Sequence, residues 1–284
     1  MGVNAASFLD LGSHTLDLTK RVLVVGIVNV TPDSFSDGGK NYDAAVAIAN
    51  GRRMAADGAA MIDVGGESTR PGAAPVPAAE ELRRVLPVVK ALAARTSAVI
   101  SIDTRKAAVA EAAIGAGAQI VNDVSGLRFD PRMAGVAAKG GVGLVLMHMR
   151  GTPEDMQQRC QYRDVAREVC DELRESMRAA LDAGVREDRI AVDPGFGFAK
   201  TREQNLELLR RLSELRRLGR PIMVGTSRKS MIRRTLGEDP LALLMGTAAT
   251  LVMALQAGAR LLRVHDVKEA VLVARMWEAI TGTQ

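Results

Sequence analysis

The sequence predicts one α/β domain, a (β/α)8 TIM barrel, and three observations point to this fold class. Short apolar runs rich in β-branched residues recur eight times in 284 residues, or about 35 residues for each strand–helix unit. The runs are almost continuously apolar, which indicates strands of a parallel sheet buried on both faces. Helical patterns stand between them. The predicted strands are Val22–Val30, Ala60–Val64, Ala98–Ile102, Gln119–Val124, Gly143–Met147, Ile190–Val192, Ile222–Val224 and Leu261–Val264.

The segments between the strands carry apolar residues at helical spacing, so each is expected to bury one face. Clear examples are Asp43–Ala56, Glu80–Ala94 and Tyr162–Ala183. At the end of the chain an apolar stripe with spacing i, i+3, i+4 and i+7 predicts a last helix with its own buried face. That stripe consists of Val273, Met276, Trp277 and Ile280.

A doubly wound open sheet is the alternative for alternating strands and helices. Neither a G-x-G-x-x-G turn after the first strand nor a Walker A sequence occurs, which favours the barrel. No proline-rich, glycine-rich or charged linker divides the chain. Residues 1–284 are therefore predicted to form a single domain with a short N-terminal extension over about the first 20 residues.

The composition excludes several classes of function. Aromatic residues are 3% of the chain, too few to supply the stacking platforms of a nucleic-acid-binding surface. Cys160 and Cys170 form neither a disulfide framework nor a metal-binding spacing. The N-terminus lacks the pattern of a secretory signal. Leu241–Ala257 is too short and too polar for a membrane span and is expected to pack against the core or a partner subunit. We expect a cytoplasmic protein without nucleic-acid or membrane partners.

The chemistry is predicted to lie at the carboxyl ends of the strands, because these ends meet at the mouth of a barrel. All eight predicted strands end in polar or charged residues. One set, with the donors and acceptors that hold a flat heterocycle, is Asp103, Asn122, Asp193 and Lys229. A second set, of anion-binding type, is Asn29, Arg70, Ser227, Arg263 and His265. The residues thus predict an enzyme that holds a polar heterocycle low in the mouth and a phosphate or pyrophosphate above it.

Five segments carry a resemblance to a known family. They are Asn29–Gly39 (NVTPDSFSDGG), Gly65–Gly72 (GGESTRPG), Asp193–Phe198 (DPGFGF), Gly225–Ile232 (GTSRKSMI) and Arg263–Asp266 (RVHD). Their sequence and order resemble those of the dihydropteroate synthase family of folate biosynthesis, over roughly Val22 to Ile280. The resemblance implies a transferase that joins a hydroxymethyl-dihydropterin diphosphate to p-aminobenzoate and releases pyrophosphate, with Mg²⁺ as cofactor.

The resemblance also implies roles for individual residues. Asp103, Asn122, Asp193 and Lys229 would hold the pterin, with Met147 and Phe198 as apolar walls. Asn29 would bind Mg²⁺ and, with Thr69, Arg70, Arg263 and His265, the pyrophosphate. Thr69, Pro71, Phe198, Ser230 and Phe35 would surround p-aminobenzoate. Two loops, Thr31–Lys40 and Glu67–Ala74, would close over the site. The late apolar helices would form a homodimer, and sulfonamides would compete with p-aminobenzoate.

The expected mechanism begins with loss of pyrophosphate, which leaves a delocalised pterin cation for the amine to attack. Asp103 and Asp37 would stabilise the cation, while Lys229, Arg263 and His265 complete the expected catalytic set. Two alternatives stay open. A pterin-dependent methyltransferase would share the barrel, but it has no need of the Arg-Pro-Gly loop or the Arg263–His265 pair. A non-catalytic barrel would bind pterin without turnover.

Overall fold

The computed structural model describes residues 7–31 and 44–282. Phe35, Asp37 and nearly all of the predicted loop Thr31–Lys40 lie outside the described residues. After a short hairpin, β1 (Phe8–Asp10) and β2 (Thr15–Asp17), eight parallel strands form one sheet. These strands are β3 (Leu23–Asn29), β4 (Met61–Gly65), β5 (Val99–Asp103), β6 (Ile120–Asp123), β7 (Gly143–Met147), β8 (Ile190–Asp193), β9 (Met223–Val224) and β10 (Leu261–Val264).

The sheet closes into a barrel. Its strand order is β8-β7-β6-β5-β4-β3-β10-β9, and a parallel bridge between Val192 and Ile222 joins the two ends. Nearby, the backbone N–H of Val192 donates to the carbonyl oxygen of Pro221 at 2.9 Å. All eight strands predicted from the sequence are confirmed, and so is the barrel.

Helices follow the strands and cover the outer face of the sheet. The described helices are α1 (Ala44–Ala56), α2 (Ala78–Arg95), α3 (Ala107–Gly115), α4 (Met133–Gly140), α5 (Val165–Asp182), α6 (Arg202–Arg210), α7 (Ser230–Leu236), α8 (Pro240–Ala257) and α9 (Val267–Thr281). Local sequence fixes several of their starts. Asp164 caps α5 by accepting from the N–H of Arg167, and Thr201 and Gln204 form a capping box at α6.

The described part of the interior divides into three apolar clusters, of which the largest lies between the sheet and the helices. A second cluster takes one residue from every strand of the barrel, together with Leu9, Leu11 and Leu18 of the hairpin segment. The predicted N-terminal extension therefore includes a plug that packs against the amino ends of the strands. A third, small cluster contains Met147 and Phe198 and lies at the opposite end.

The last two long helices expose apolar side chains. On α9 Trp277 is buried, but Met276 is 62% and Ile280 70% exposed, so the prediction that the whole stripe faces the core was wrong. The structure turns this face of the helix away from the barrel. On α8 the exposed side chains include Leu241, Met245 and Met253.

By length and composition alone, α8 is long and apolar enough to cross a membrane, so the expectation that this segment is too short and too polar was wrong on that point. Its other face is packed, however: a Cβ added at Gly246 would lie 2.4 Å from Ile232 of α7, so the two helices approach closely there. Leu251, Ala254 and Leu255 are buried as well. The helix thus joins the barrel on one side and leaves an apolar surface on the other.

Candidate active site

A recess opens at the carboxyl ends of the strands and contains about 320 Å³ of empty space, partly open to solvent. It combines acidic, basic, amide and apolar side chains from seven of the eight strand ends and their loops. The lining residues are Thr69, Asp103, Asn122, Val124, Met147, Asp193, Phe196, Phe198, Gly225, Lys229 and Arg263. All six residues predicted to hold or flank a pterin therefore lie around one recess.

The floor of the recess is an ion cluster around Arg263. Its Nε donates to Asp63 Oδ2 and its Nη2 to Asp103 Oδ2, each at 2.6 Å. Burial raises the pKa of Asp103 to about 7, while the neighbouring guanidinium of Arg263 opposes that rise. A single guanidinium thus holds two carboxylates from adjacent strands in fixed positions.

Three buried polar atoms beside this cluster have no hydrogen-bond partner among the described residues: Asp63 Oδ1, Ser101 Oγ and Asn122 Oδ1. Asn122 uses its other end, because Nδ2 donates to Asp63 Oδ2 at 2.9 Å. The residues concerned are no more than 2% exposed. Buried acceptors without donors cost free energy, so this floor is built to receive the N–H groups of a ligand.

Asp193 and Lys229 stand on opposite sides of the barrel closure. Asp193 ends β8 and accepts from the N–H of Gly195 at 2.7 Å, and burial raises the pKa of its carboxyl. Lys229 precedes α7, and its Nζ lies 4.1 Å from the centre of the Phe198 ring. Burial and the nearby charge of Arg263 lower the pKa of Lys229 to about 8.

The loop that carries Lys229 is held in place from behind. Arg228 adopts a left-handed backbone conformation with φ of 57°, and its guanidinium pairs with both oxygens of Asp266. Its backbone N–H donates to Thr247 Oγ1 of α8 at 3.2 Å. Ser230 follows as the first residue of α7 and is half-buried.

The predicted anion-binding residues lie mostly at the rim. Ser227 Oγ is 3.1 Å from Nδ1 of His265, and burial together with Arg263 lowers the pKa of His265 to about 4. Its imidazole is therefore neutral near pH 7. Asn29 and Arg70 are exposed, as is Pro71, and none of the three lines the recess. Arg263 belongs to the floor through its two carboxylate contacts.

The second predicted loop starts from a buried ion network. Glu67 accepts from Arg105 Nε at 3.0 Å and pairs with Lys106 at 2.9 Å, and the backbone N–H of Val76 donates to Glu67 at 2.8 Å. Farther along, the N–H of Gly72 donates to the carbonyl of Pro153 at 2.9 Å. Glu67 therefore anchors both ends of the loop, while Thr69 reaches the recess.

From the sequence, Asp63 is expected to orient loop backbone rather than to contact a ligand, and neither Phe196 nor Gly225 is singled out. A signal was present for Asp63, because side chains two residues apart on a strand share a face. Met61 lies in the plug cluster and Asp63 is the next inward position on β4. The alternation alone places this carboxylate inside the barrel.

The described residues contain no group of three or more histidine, cysteine or acidic side chains arranged to hold a metal ion. Asn29 offers an exposed amide oxygen at the end of β3. Mg²⁺ commonly takes one or two protein oxygens and completes its shell with substrate phosphates and water. A Mg²⁺ ion that takes most of its ligands from a diphosphate and water would fit this mouth, where the amide oxygen of Asn29 is one available protein donor.

Comparisons with known proteins cover nearly the whole chain. Residues 25–265 match the family model described as pterin binding enzyme. The dihydropteroate synthase of Synechocystis sp. is 45% identical over 273 residues, 96% of this chain and 94% of that protein. A Xanthomonas albilineans dihydropteroate synthase solved with 4-aminobenzoic acid has a TM-score of 0.90 at 45% identity, over 97% of this chain and 98% of that one. The same enzyme with 7,8-dihydropteroate gives a TM-score of 0.86 at 43% identity, over 96% and 98% of the two chains.

Proposed function

The chain belongs to the dihydropteroate synthase family of pterin-binding enzymes, and we propose that its barrel mouth forms dihydropteroate in two steps, loss of pyrophosphate and then attack by an amine. Enzymes of this family join 6-hydroxymethyl-7,8-dihydropterin diphosphate to p-aminobenzoate. The observation that carries the assignment to this recess is its polar floor, whose buried acceptors have no donor among the described residues. A pterin presents ring and amino N–H groups, which match such acceptors.

The pterin ring lies on this floor, between the side chains predicted to hold it. Asp193 and Asn122 accept from its N–H groups, and Lys229 donates to its acceptor atoms. Met147 and Phe198 enclose the ring faces, as their shared apolar cluster supports. Because each of these polar groups needs its partner, an analogue lacking one N–H group is expected to bind far more weakly.

The diphosphate points toward the rim, where Asn29, Arg70 and His265 stand, with Thr69 at the recess edge. Mg²⁺, when bound, neutralises charge on the leaving pyrophosphate. Arg70 is exposed on a loop anchored by Glu67, so its guanidinium is placed to approach the phosphates from above. His265 is neutral and donates a hydrogen bond rather than a charge.

In the first step the bond from the pterin methylene to the diphosphate oxygen breaks, and its electron pair leaves with the oxygen. Asp103 lies on the floor and stabilises the positive charge that spreads into the ring. Arg263 donates to Asp103 Oδ2 at 2.6 Å and so holds this carboxylate in position. Asp37, which lies outside the described residues, is proposed to approach as the loop closes.

In the second step the nitrogen of p-aminobenzoate attacks the methylene and then releases a proton. An aniline nitrogen is already neutral near pH 7, so no strong base is needed. Thr69, Pro71, Ser230 and Phe198 surround this substrate, and Phe35 is proposed to join them from the first loop. Closure of both loops excludes the water that would otherwise capture the cation.

The test is an assay of pyrophosphate release with the pterin diphosphate, Mg²⁺ and p-aminobenzoate. Pyrophosphate release sustained over many turnovers that requires all three, and that sulfonamides inhibit by competing with p-aminobenzoate, supports the proposal. Pterin binding without release would indicate a non-catalytic barrel. Release that is unchanged after Mg²⁺ is chelated would overturn the metal assignment.

We further propose a homodimer formed through the exposed apolar faces of α8 and α9. Leu241 and Met276 are each more than 60% exposed, and exposed apolar surfaces of this kind commonly mark interfaces. Replacing Met245 with Glu is expected to give monomers in sedimentation, whereas Lys139→Glu on α4 leaves the mass unchanged. A cytoplasmic location is also proposed, because Cys160 and Cys170 are free thiols, as in proteins of a reducing compartment.

A further inference from the structure

A buried lysine lies directly behind the pterin wall. Lys200 follows Phe198 in the segment between β8 and α6 and is 3% exposed. Its Nζ lies 3.0 Å from each of three acceptors: His148 Nδ1, the carbonyl oxygen of Gly195 and the carbonyl oxygen of Phe198. An ammonium group has three N–H donors, so each donor has its own acceptor.

The hydrogen-bond partners in this cluster determine which of its atoms carry protons. His148 Nε2 is 3.2 Å from Glu172 Oε2, and Arg150 and Arg128 also bind Glu172. Burial opposes its ionisation, yet these hydrogen bonds lower the pKa of Glu172. An ionised carboxylate accepts, so Nε2 of His148 carries the proton and Nδ1 is left as an acceptor. Each hydrogen bond of this cluster therefore has both a donor and an acceptor when His148 is neutral and Lys200 is charged.

This charged form is held at a cost to stability. Burial lowers the pKa of Lys200 to about 7, and the nearby charge of Arg150 lowers it further. The carboxylates of Asp193 and Glu172 act in the opposite direction, as does Cys160 to a smaller extent. Between that pKa and its ordinary value the unfolded chain binds more protons, so the lysine makes stability rise with pH. An apolar side chain of similar length would avoid the cost of burying a charge, but it would leave the carbonyls of Gly195 and Phe198 without this donor.

The two carbonyls that Lys200 binds belong to the segment that forms one side of the recess. Gly195 has φ of 68° and lies so close to His148 that a Cβ there would be 1.9 Å from the His148 carbonyl oxygen. The N–H of His148 donates to the carbonyl of Asp193 at 2.9 Å. Lys200 and His148 together fix this backbone between Asp193, which binds the ligand, and Phe198, which forms the wall.

We propose that Lys200 is a positioning residue of the pterin site: with His148 and Glu172 behind it, its ammonium fixes the carbonyls of Gly195 and Phe198, so that Asp193 and Phe198 are in place before the ligand arrives. Holding a site in its bound geometry lowers the entropy cost of binding. The inference rests on the proposed function for the identity of the ligand.

Lys200→Met keeps the length of the side chain and removes all three donors. We expect the Kd for 6-hydroxymethyl-7,8-dihydropterin diphosphate with Mg²⁺, measured by calorimetry, to rise at least about tenfold, the effect of leaving buried carbonyls without donors. Leu9→Ala, at the opposite end of the barrel, is the matched control: it lowers Tm and leaves this Kd unchanged. Equal Kd values for Lys200→Met and wild type would overturn the proposal.

Two further measurements separate positioning from general destabilisation. His148→Asn keeps a hydrogen-bond acceptor near the position of Nδ1, whereas His148→Leu keeps nearly the volume of histidine and has no acceptor. We expect the Asn variant to retain affinity for the pterin diphosphate and the Leu variant to lose it. Equal losses would count against the proposal, and this pair also serves if Lys200→Met does not fold. In wild type, affinity weakens above about pH 7 in a step that Lys200→Met lacks. Asp103 and Lys229 titrate in both proteins, so the difference between the two profiles isolates Lys200.

A failure of the proposed function gives a different result. Wild-type protein would then neither bind the pterin diphosphate nor release pyrophosphate in response to p-aminobenzoate. If wild type does both while Lys200→Met matches it in Kd, the positioning role fails and the function stands.

Discussion

The two ends of the barrel interior differ in chemistry, although the same eight strands build both. At the amino ends each strand contributes an apolar residue to one cluster: Val25, Met61, Val99, Ile120, Val145, Ala191, Met223 and Leu261. Two residues farther along five of these strands, the next inward positions are Asp63, Ser101, Asn122, Asp193 and Arg263. One step along the strands therefore changes a plugged apolar core into a polar floor.

The difference separates stability from function within a single core. The hairpin residues Leu9, Leu11 and Leu18 cover the apolar layer, which needs no partner beyond packing. The polar layer contains carboxylates held by Arg263 and acceptors that have no donor in the part of the chain that the structure describes, features that cost free energy until a ligand binds. We therefore expect changes at the plugged end to alter stability alone, and changes at the mouth to alter activity.

The largest expected effect breaks this separation. Arg263→Met leaves the buried carboxylates of Asp63 and Asp103 without their counter-ion, so we expect the free energy of unfolding to fall by about 3–5 kcal/mol and activity to be lost. Urea unfolding and the pyrophosphate assay measure the two effects. Arg263→Lys keeps the positive charge but not the planar guanidinium that binds both carboxylates, so it should lose less stability than Arg263→Met. A stable, active Arg263→Met protein would show that the ion cluster is dispensable.

At the plugged end, Leu9→Ala removes a completely buried side chain from the apolar layer. The cavity is expected to reduce the free energy of unfolding by about 2–5 kcal/mol. Because the mouth lies at the other end of the strands, kcat and KM should stay at wild-type values below the unfolding transition. A fall in kcat would mean that the two ends are coupled.

Asp103→Asn is the converse change. Its shape is conserved, so the fold should persist, while turnover is expected to fall about tenfold to a thousandfold because a charge that stabilises the cation is lost. Steady-state kinetics and thermal unfolding on the same preparation separate the two effects. Near-normal turnover would remove Asp103 from the catalytic set.

Measured over one unit of pH, the smallest expected effect is the pH dependence of stability. The pKa of Asp103 is raised to about 7 in the folded protein, chiefly by burial, so the native state binds more protons than the unfolded state between its ordinary pKa and 7. Stability contributed by this group therefore falls as pH rises through that range, by at most about 1.4 kcal/mol per pH unit. Urea unfolding of Asp103→Asn should show a flatter profile than wild type. Parallel profiles would contradict the shift.

Much of this molecule follows from local sequence. The eight strands were predictable because buried parallel strands are almost continuously apolar, and the site followed because a barrel gathers its strand ends. Contacts between distant residues were not predictable. Arg263 and Asp63 are 200 positions apart in the sequence, and no sequence pattern indicates that they form a pair.

Other features could not be predicted from the sequence, for different physical reasons. The strands of the hairpin have three residues each, too few for a period to show. The stripe on α9 has helical spacing, but spacing cannot tell a face that packs on the barrel from one left exposed, as Met276 and Ile280 are. Lys200 carries no pattern of its own, since its role depends on the fold bringing His148 behind it.

The closure of the barrel between β8 and β9 rests on little backbone pairing. β9 has two residues and meets β8 through the bridge at Val192 and Ile222. Amide protons near this seam should therefore exchange with solvent sooner than those of the long β3–β4 pairing. Asp193 lies on the β8 side of this seam between β8 and β9, and Lys229 lies on the β9 side. A ligand bound by both side chains therefore links the two strands. Bound pterin should slow hydrogen exchange along the seam, in the backbone itself, far beyond the atoms that it touches.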